Sequence, residues 1–256
     1  MISYGDGSSA SGTVGFDTVD IGGATVNKQA VELANQISSS FVSDTNNDGL
    51  VGLGFSIINT VQPQAQKTFF ENIMGDLDLP VFTADLADDA SGSYEFGKID
   101  SSKYTGTIHY TDVDSSNGFW QFDSTSYSIG GKTITSSNPS PAIADSGTSL
   151  VLVDDDVAKA YYAQVQGSQL SSAAGGYVYP CSAKLPDFGV AVGSSGFMAT
   201  IPGSDMTYAT VSQGTCFGGV QSNSGGNLQI YGDMLLKQYF AVFDGGNKSF
   251  GLANKA

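Results

Sequence analysis

The run Pro141-Ala142-Ile143-Ala144-Asp145-Ser146-Gly147-Thr148-Ser149-Leu150-Val151 sets a carboxylate, hydroxyls and a glycine side by side between apolar β-formers. Glycine permits a tight turn, and neighbouring hydroxyls can fix the orientation of a carboxylate. A carboxyl group held in this way is equipped to take up and deliver a proton. The plainer reading of Asp145 is an ordinary acid closing a strand-end turn. The core Asp-Ser-Gly-Thr occurs once in the chain.

Other chemistries find little support. His109 is the one histidine and lies in the strand-like pattern Thr107-Ile108-His109-Tyr110, with no Gly-x-Ser-x-Gly elbow to accompany it. It reads as a strand histidine near the surface. One histidine and two cysteines do not make a zinc site, so no metal is expected. Asp44-Thr45-Asn46-Asn47-Asp48-Gly49 resembles a calcium loop but lacks the downstream glutamate, and reads as a polar turn. Gly225-Gly226 has neither the lysine nor the helix of a phosphate loop. No cofactor is implied.

The elements around Asp145 are strands. Apolar residues form 40% of the 256 and charged residues 14%, with 33 glycines, a mixture suited to strands and tight turns. Phe16 to Ile21 alternates and runs into Gly22-Gly23, a hairpin signal, and Tyr127 to Ile134 repeats the pattern around Gly130-Gly131. Helices are predicted over Gln62 to Met74, with Phe69, Phe70, Ile73 and Met74 inward, and over Asp154 to Gln166. The second carries acids in its first turn and Tyr161, Tyr162 and Val165 on its core face. Leu50-Val51-Gly52-Leu53-Gly54 and Gln229-Ile230-Tyr231-Gly232-Asp233 each read as an apolar strand broken by glycine, a mark of close backbone approach.

Charge narrows the partners. Asp and Glu number 25 against 10 lysines and no arginine, a net charge of −15. Nucleic acid and anionic membranes would repel such a surface, and no apolar run reaches spanning length. The Lys-poor, Ser/Thr/Gly-rich composition favours a disulfide between Cys181 and Cys216 over free thiols, hence an oxidising compartment. Closing that loop stabilises by roughly 3–4 kcal/mol on a chain-entropy estimate. Asn247-Lys248-Ser249 is the lone glycosylation sequon. Met1 leads directly into a strand and turn with no signal peptide, so the start reads as cut.

Taken in order, these segments resemble the fungal secreted pepsin-like aspartic proteases over essentially the whole chain. Ile2-Ser3-Tyr4-Gly5-Asp6-Gly7-Ser8 is similar to the flap hairpin and Val81 to Leu86 to a strand of the interlobe sheet. Asp145 to Ser149 is similar to the second catalytic loop, Cys181 and Cys216 to the C-lobe disulfide, and Ile230 to Asp233 to the closing strand. The resemblance implies a mainly β, bilobal pepsin-like fold, with an incomplete N-lobe at 1–105 and a complete C-lobe at 106–256. It implies hydrolysis of peptide bonds at acidic pH by two aspartates sharing a proton, of which Asp145 is one. It gives Thr148 a hydrogen bond to that carboxylate, Ser146 a brace toward the other lobe and Gly147 the turn. Tyr4, Gly5 and Asp6 become the flap over substrate, and Phe41 and Leu50 the lining of its primary side-chain pocket. Partners would be peptides and pepstatin-like inhibitors, and the setting extracellular.

The pattern departs from the family at the first Asp-Thr-Gly-Ser loop, which is absent, as is the tryptophan that usually partners the flap tyrosine. Trp120 lies too far along the chain to be that residue. Three readings follow. The isolated monomer is an inactive or nearly inactive protease; or activity returns in a homodimer or with an N-terminal fragment; or the chain binds peptides and inhibitors without turnover.

Overall fold

The computed structural model describes residues 1–89 and 91–256. Strands dominate. A five-stranded sheet in the order Ser93–Phe96, Val81–Asp85, Tyr239–Asp244, Ser249–Lys255, Tyr104–Asp112 joins early and late parts of the chain, all its pairs antiparallel. Phe82 sits opposite Phe243, their rings stacked at 4.5 Å, and Trp120 packs edge-on against both. The Trp120 indole donates to Leu53 O at 2.8 Å, which satisfies its one polar group. The boundary expected at 105/106 falls inside the strand Tyr104–Asp112.

A second five-stranded sheet, in the order Val220–Ser222, Val151–Val153, Gln229–Tyr231, Ala142–Ala144, Gln121–Phe122, carries Asp145 at the end of its strand Ala142–Ala144. The helix Asp155–Tyr162 packs over it. Asp155 and Asp156 occupy its first turn, and Val157, Ala158, Tyr161 and Tyr162 are buried, as the pattern predicts. It ends four residues short of Gln166, where Gln164 N and Val165 N turn back to Tyr161 O and Tyr162 O. The Tyr127–Ile134 hairpin forms through Ser126–Ile129 and Lys132–Thr135. Cys181 and Cys216 are bonded, and their partner strands Gly176–Pro180 and Thr215–Gly218 run antiparallel beside the bridge.

Two expectations fail. The helix predicted over Gln62 to Met74 is only Phe69–Ile73. Thr68 starts it by accepting a hydrogen bond from Glu71 N, and Pro63 has no N–H to offer a helix. Upstream, Asn59 Oδ1 takes the N–H groups of Val61 and Gln66, so that backbone is satisfied without helical bonds. The buried stripe of Phe69, Phe70 and Ile73 is nonetheless as expected. The second failure is Leu50 to Gly54, which is irregular rather than a strand. Its counterpart Gln229–Tyr231 is hydrogen-bonded on both sides, whereas Leu50 to Gly54 has no strand partner among the described residues.

The hairpin Ser9–Ile21 with Ala24–Ile37 turns at Gly22-Gly23, as expected. Its turn end packs on the core through Val19, Ile21, Ala24 and Val26. Its middle does not: Phe16 is 55% and Leu33 62% exposed. No helix of the described residues is long and apolar enough to cross a membrane.

Candidate active site

Asp145 owes its position to sheet register. Ala144 pairs with Tyr231 in parallel, and Asp145 N continues the ladder by donating to Tyr231 O at 3.1 Å. The chain then turns. Gly147 N donates to Asp145 Oδ1 at 2.9 Å, Thr148 Oγ1 donates to Oδ2 at 2.7 Å, and Thr148 N donates to the Asp145 carbonyl at 3.2 Å. Both carboxylate oxygens are thus held in place while Ser146 and Gly147 stand at the surface.

The segment after Gln229–Tyr231 locks this loop from behind. Asp233 N donates to Thr148 O at 2.8 Å, Met234 N to Ser149 O at 3.0 Å and Gly232 N to Leu150 O at 3.1 Å. Gly232 is the position where glycine is required: a Cβ there would lie 2.0 Å from Thr148 O. The buried Tyr231 hydroxyl is fixed by Ser124 Oγ at 2.6 Å.

Two residues join the site that the sequence did not single out for it. Asp233 has its carboxyl raised above the ordinary Asp value, by burial first, with the Asp145 charge adding and Lys237 opposing. Tyr94, on the edge strand Ser93–Phe96, comes into reach of the loop: burial raises its hydroxyl, Ser146 opposes that shift, and the charges of Asp233 and Asp145 add to it. The signal for Asp233 was present, since it follows the glycine marked for close approach. Tyr94, 44% exposed, gave none.

The flap candidates form a separate group. Ile2 and Ser3 pair with Ala10 and Ser9, and Tyr4 N to Ser8 O and Gly7 N to Tyr4 O close a tight turn holding Gly5 and Asp6. Asp6 Oδ1 accepts from the Ser8 hydroxyl at 2.6 Å and the Ser8 amide at 2.9 Å, which holds its carboxyl below the usual range. Tyr4 meets Phe41 edge-on at 5.6 Å; burial first, then the Glu32 charge, raises its hydroxyl. Leu50 lies outside any strand and is 61% exposed. Among the described residues no hydrogen bond links this turn to the Asp145 loop.

The remaining candidates lie apart. His109 is exposed on Tyr104–Asp112, its ring stacked on Phe197 at 4.2 Å. Asp44 to Gly49 is an exposed turn in which Asp44 and Asn47 side chains accept backbone N–H groups. No cluster of metal-ligating side chains occurs among the described residues. The arrangement supplies one oriented carboxylate open to the surface, with a second carboxyl in electrostatic reach.

Comparison with known proteins is consistent across the chain. The profile of the eukaryotic aspartyl protease family matches residues 1–255. Penicillopepsin-1 of Talaromyces stipitatus is 55% identical over the whole chain, which spans 65% of that protein. Aspergillopepsin-1 of Aspergillus oryzae is 52% identical, with 64% of its length spanned, and penicillopepsin-1 of Penicillium janthinellum 52%, with 78% spanned. The chain therefore spans under two thirds of the first two of these relatives.

Proposed function

Because the chain belongs to the eukaryotic aspartyl protease family, we propose that it descends from a secreted acid endopeptidase and that Asp145 is one of the two aspartates of its catalytic pair. The observation that carries this reading is the double anchoring of the Asp145 carboxylate by Gly147 N and Thr148 Oγ1. In such a pair one carboxyl holds a proton while the other is charged. The charged member takes a proton from water as the water oxygen attacks the peptide carbonyl. The amine then leaves with a proton from the pair, and the C–N bond breaks. Asp145 can hold one of these protons. It has no second Asp-Ser/Thr-Gly loop in this chain to share it with, so the isolated monomer is inactive or nearly so. Tyr4, Gly5 and Asp6 serve as the flap, and Phe41 and Leu50 contact an apolar substrate side chain.

A second reading has its own support. The exposed apolar residues of the long hairpin favour association, and a second copy or an N-terminal fragment could bring the missing carboxylate. Digestion of a denatured protein at about pH 3–4, where a shared-proton pair is competent, tests both readings on monomeric and associated fractions from a sizing column. Activity confined to associated fractions and lost in Asp145→Asn supports them together. Activity surviving in Asp145→Asn overturns the assignment of Asp145.

A further inference from the structure

We propose that Asn247 is an N-glycosylation site and that its glycan stands at the end of the shared five-stranded sheet remote from Asp145. This goes beyond the catalytic reading and does not depend on it. Asn247-Lys248-Ser249 is an acceptor sequence, whereas Asn138-Pro139-Ser140, the other near match, is closed by its proline.

The structure puts the first on the turn between Tyr239–Asp244 and Ser249–Lys255. Asn247 and Lys248 are both exposed there. The turn is firmly held from below. Gly245 N donates to Pro80 O at 2.9 Å, Val113 N donates to Lys248 O at 2.8 Å, and Asp244 sits opposite Ser249 in register. The Asp244 carboxylate accepts Asn247 N and Asn247 Nδ2, each at 2.8 Å. An amide nitrogen has two hydrogens. One keeps the bond to Asp244 while the other is replaced, so the folded turn accommodates the glycan without losing a contact.

Transfer needs a polyprenyl-pyrophosphate-linked oligosaccharide as co-substrate. The Nδ2 lone pair forms a bond to the anomeric carbon. The C–O bond to pyrophosphate breaks with its electron pair, the polyprenyl pyrophosphate leaves, and the Nδ2 proton passes to base. A disulfide between Cys181 and Cys216 places the chain in the oxidising compartment where this chemistry operates. The helix Asp233–Leu236, which touches the Asp145 loop, lies before the opposite end of Tyr239–Asp244, about 17 Å away at strand rise. The glycan leaves that loop uncovered.

The test is secretion from a eukaryotic host followed by intact mass measurement before and after peptide-N-glycosidase. The expected result is a hexose-ladder mass increase that the enzyme removes, leaving Asp at position 247. Asn247→Gln and Ser249→Ala should both lack it, and Ser249→Thr should keep it. Secreted parent protein without the increase, or an increase surviving in Asn247→Gln, overturns the proposal. Because the parent protein is itself the first sample, a variant that fails to fold does not blunt the test.

Discussion

Replacing both Cys181 and Cys216 by serine should lower stability by about 4 kcal/mol. The bridge closes a loop with a sequence separation of 35. The chain-entropy relation, −2.1 − 1.5R ln n cal/mol/K, then gives about 13 cal/mol/K, or about 3.8 kcal/mol at room temperature. The folded state should change little, because Tyr179 to Cys216 pairing and the bond from Cys181 N to Gly214 O, at 3.0 Å, hold the two positions together without the sulfurs. The loss therefore falls on the unfolded chain, which gains the freedom the bridge withheld. Urea unfolding at fixed pH, followed by fluorescence, reads it. With a slope of about 3 kcal/mol/M the midpoint drops by about 1 M. A midpoint within about 0.2 M of the parent would refute the reasoning, since it would mean that the unfolded chain is already restricted between these residues.

Asp233→Asn should raise the thermal midpoint at neutral pH and leave it unchanged well below the ordinary Asp value of 3.8. The raised carboxyl makes the folded state the stronger proton binder, so its contribution is complete in acid and lost as pH climbs through the folded value; an equal midpoint at neutral pH counts against this. Tyr162→Phe removes the buried hydroxyl that donates to Val220 O at 2.6 Å and should cost about 1–3 kcal/mol in denaturant unfolding. Gly218→Ala places a Cβ 1.8 Å from that same hydroxyl, so the double variant should lose less than the sum of the single losses, and strict additivity would refute the clash. Phe16→Ser with Leu33→Ser should leave the unfolding free energy within about 0.5 kcal/mol of the parent, as exposed positions do, while sedimentation shows less self-association.

Much of the candidate site was legible because its residues are neighbours in sequence. Asp145, Gly147 and Thr148 form their hydrogen bonds within one turn, so residue type and spacing suffice. The same holds for the tight turn at Tyr4 to Gly7 and for the hairpin at Gly22-Gly23. What escaped depends on partners distant in the chain. Leu50 to Gly54 shares with Gln229 to Asp233 the pattern of an apolar pair followed by glycine, yet a strand exists only where another backbone lies beside it. Tyr94 and Ser146 are brought together by the sheet, with nothing local to announce it. The Gln62 to Met74 helix failed for a local reason that could have been weighed: Pro63 and Asn59 both offer the backbone an alternative.

The shared sheet also sets an order of events in synthesis. Phe82 must pair with Phe243, and the strand holding Phe243 must in turn pair with Ser249–Lys255. Neither bond set is available to a growing chain until those residues have left the ribosome. Val81, Phe82 and Ala84, all buried in the finished molecule, can pair early with Ser93–Phe96 on one side but stay without Tyr239–Asp244 on the other while some 160 residues are added, a wait of roughly 10–30 s at ordinary elongation rates. For that interval the nascent protein presents a β edge and a run of apolar side chains to its surroundings. A chain of this design leans on whatever shields it at the exit tunnel more than a protein whose first half closes by itself.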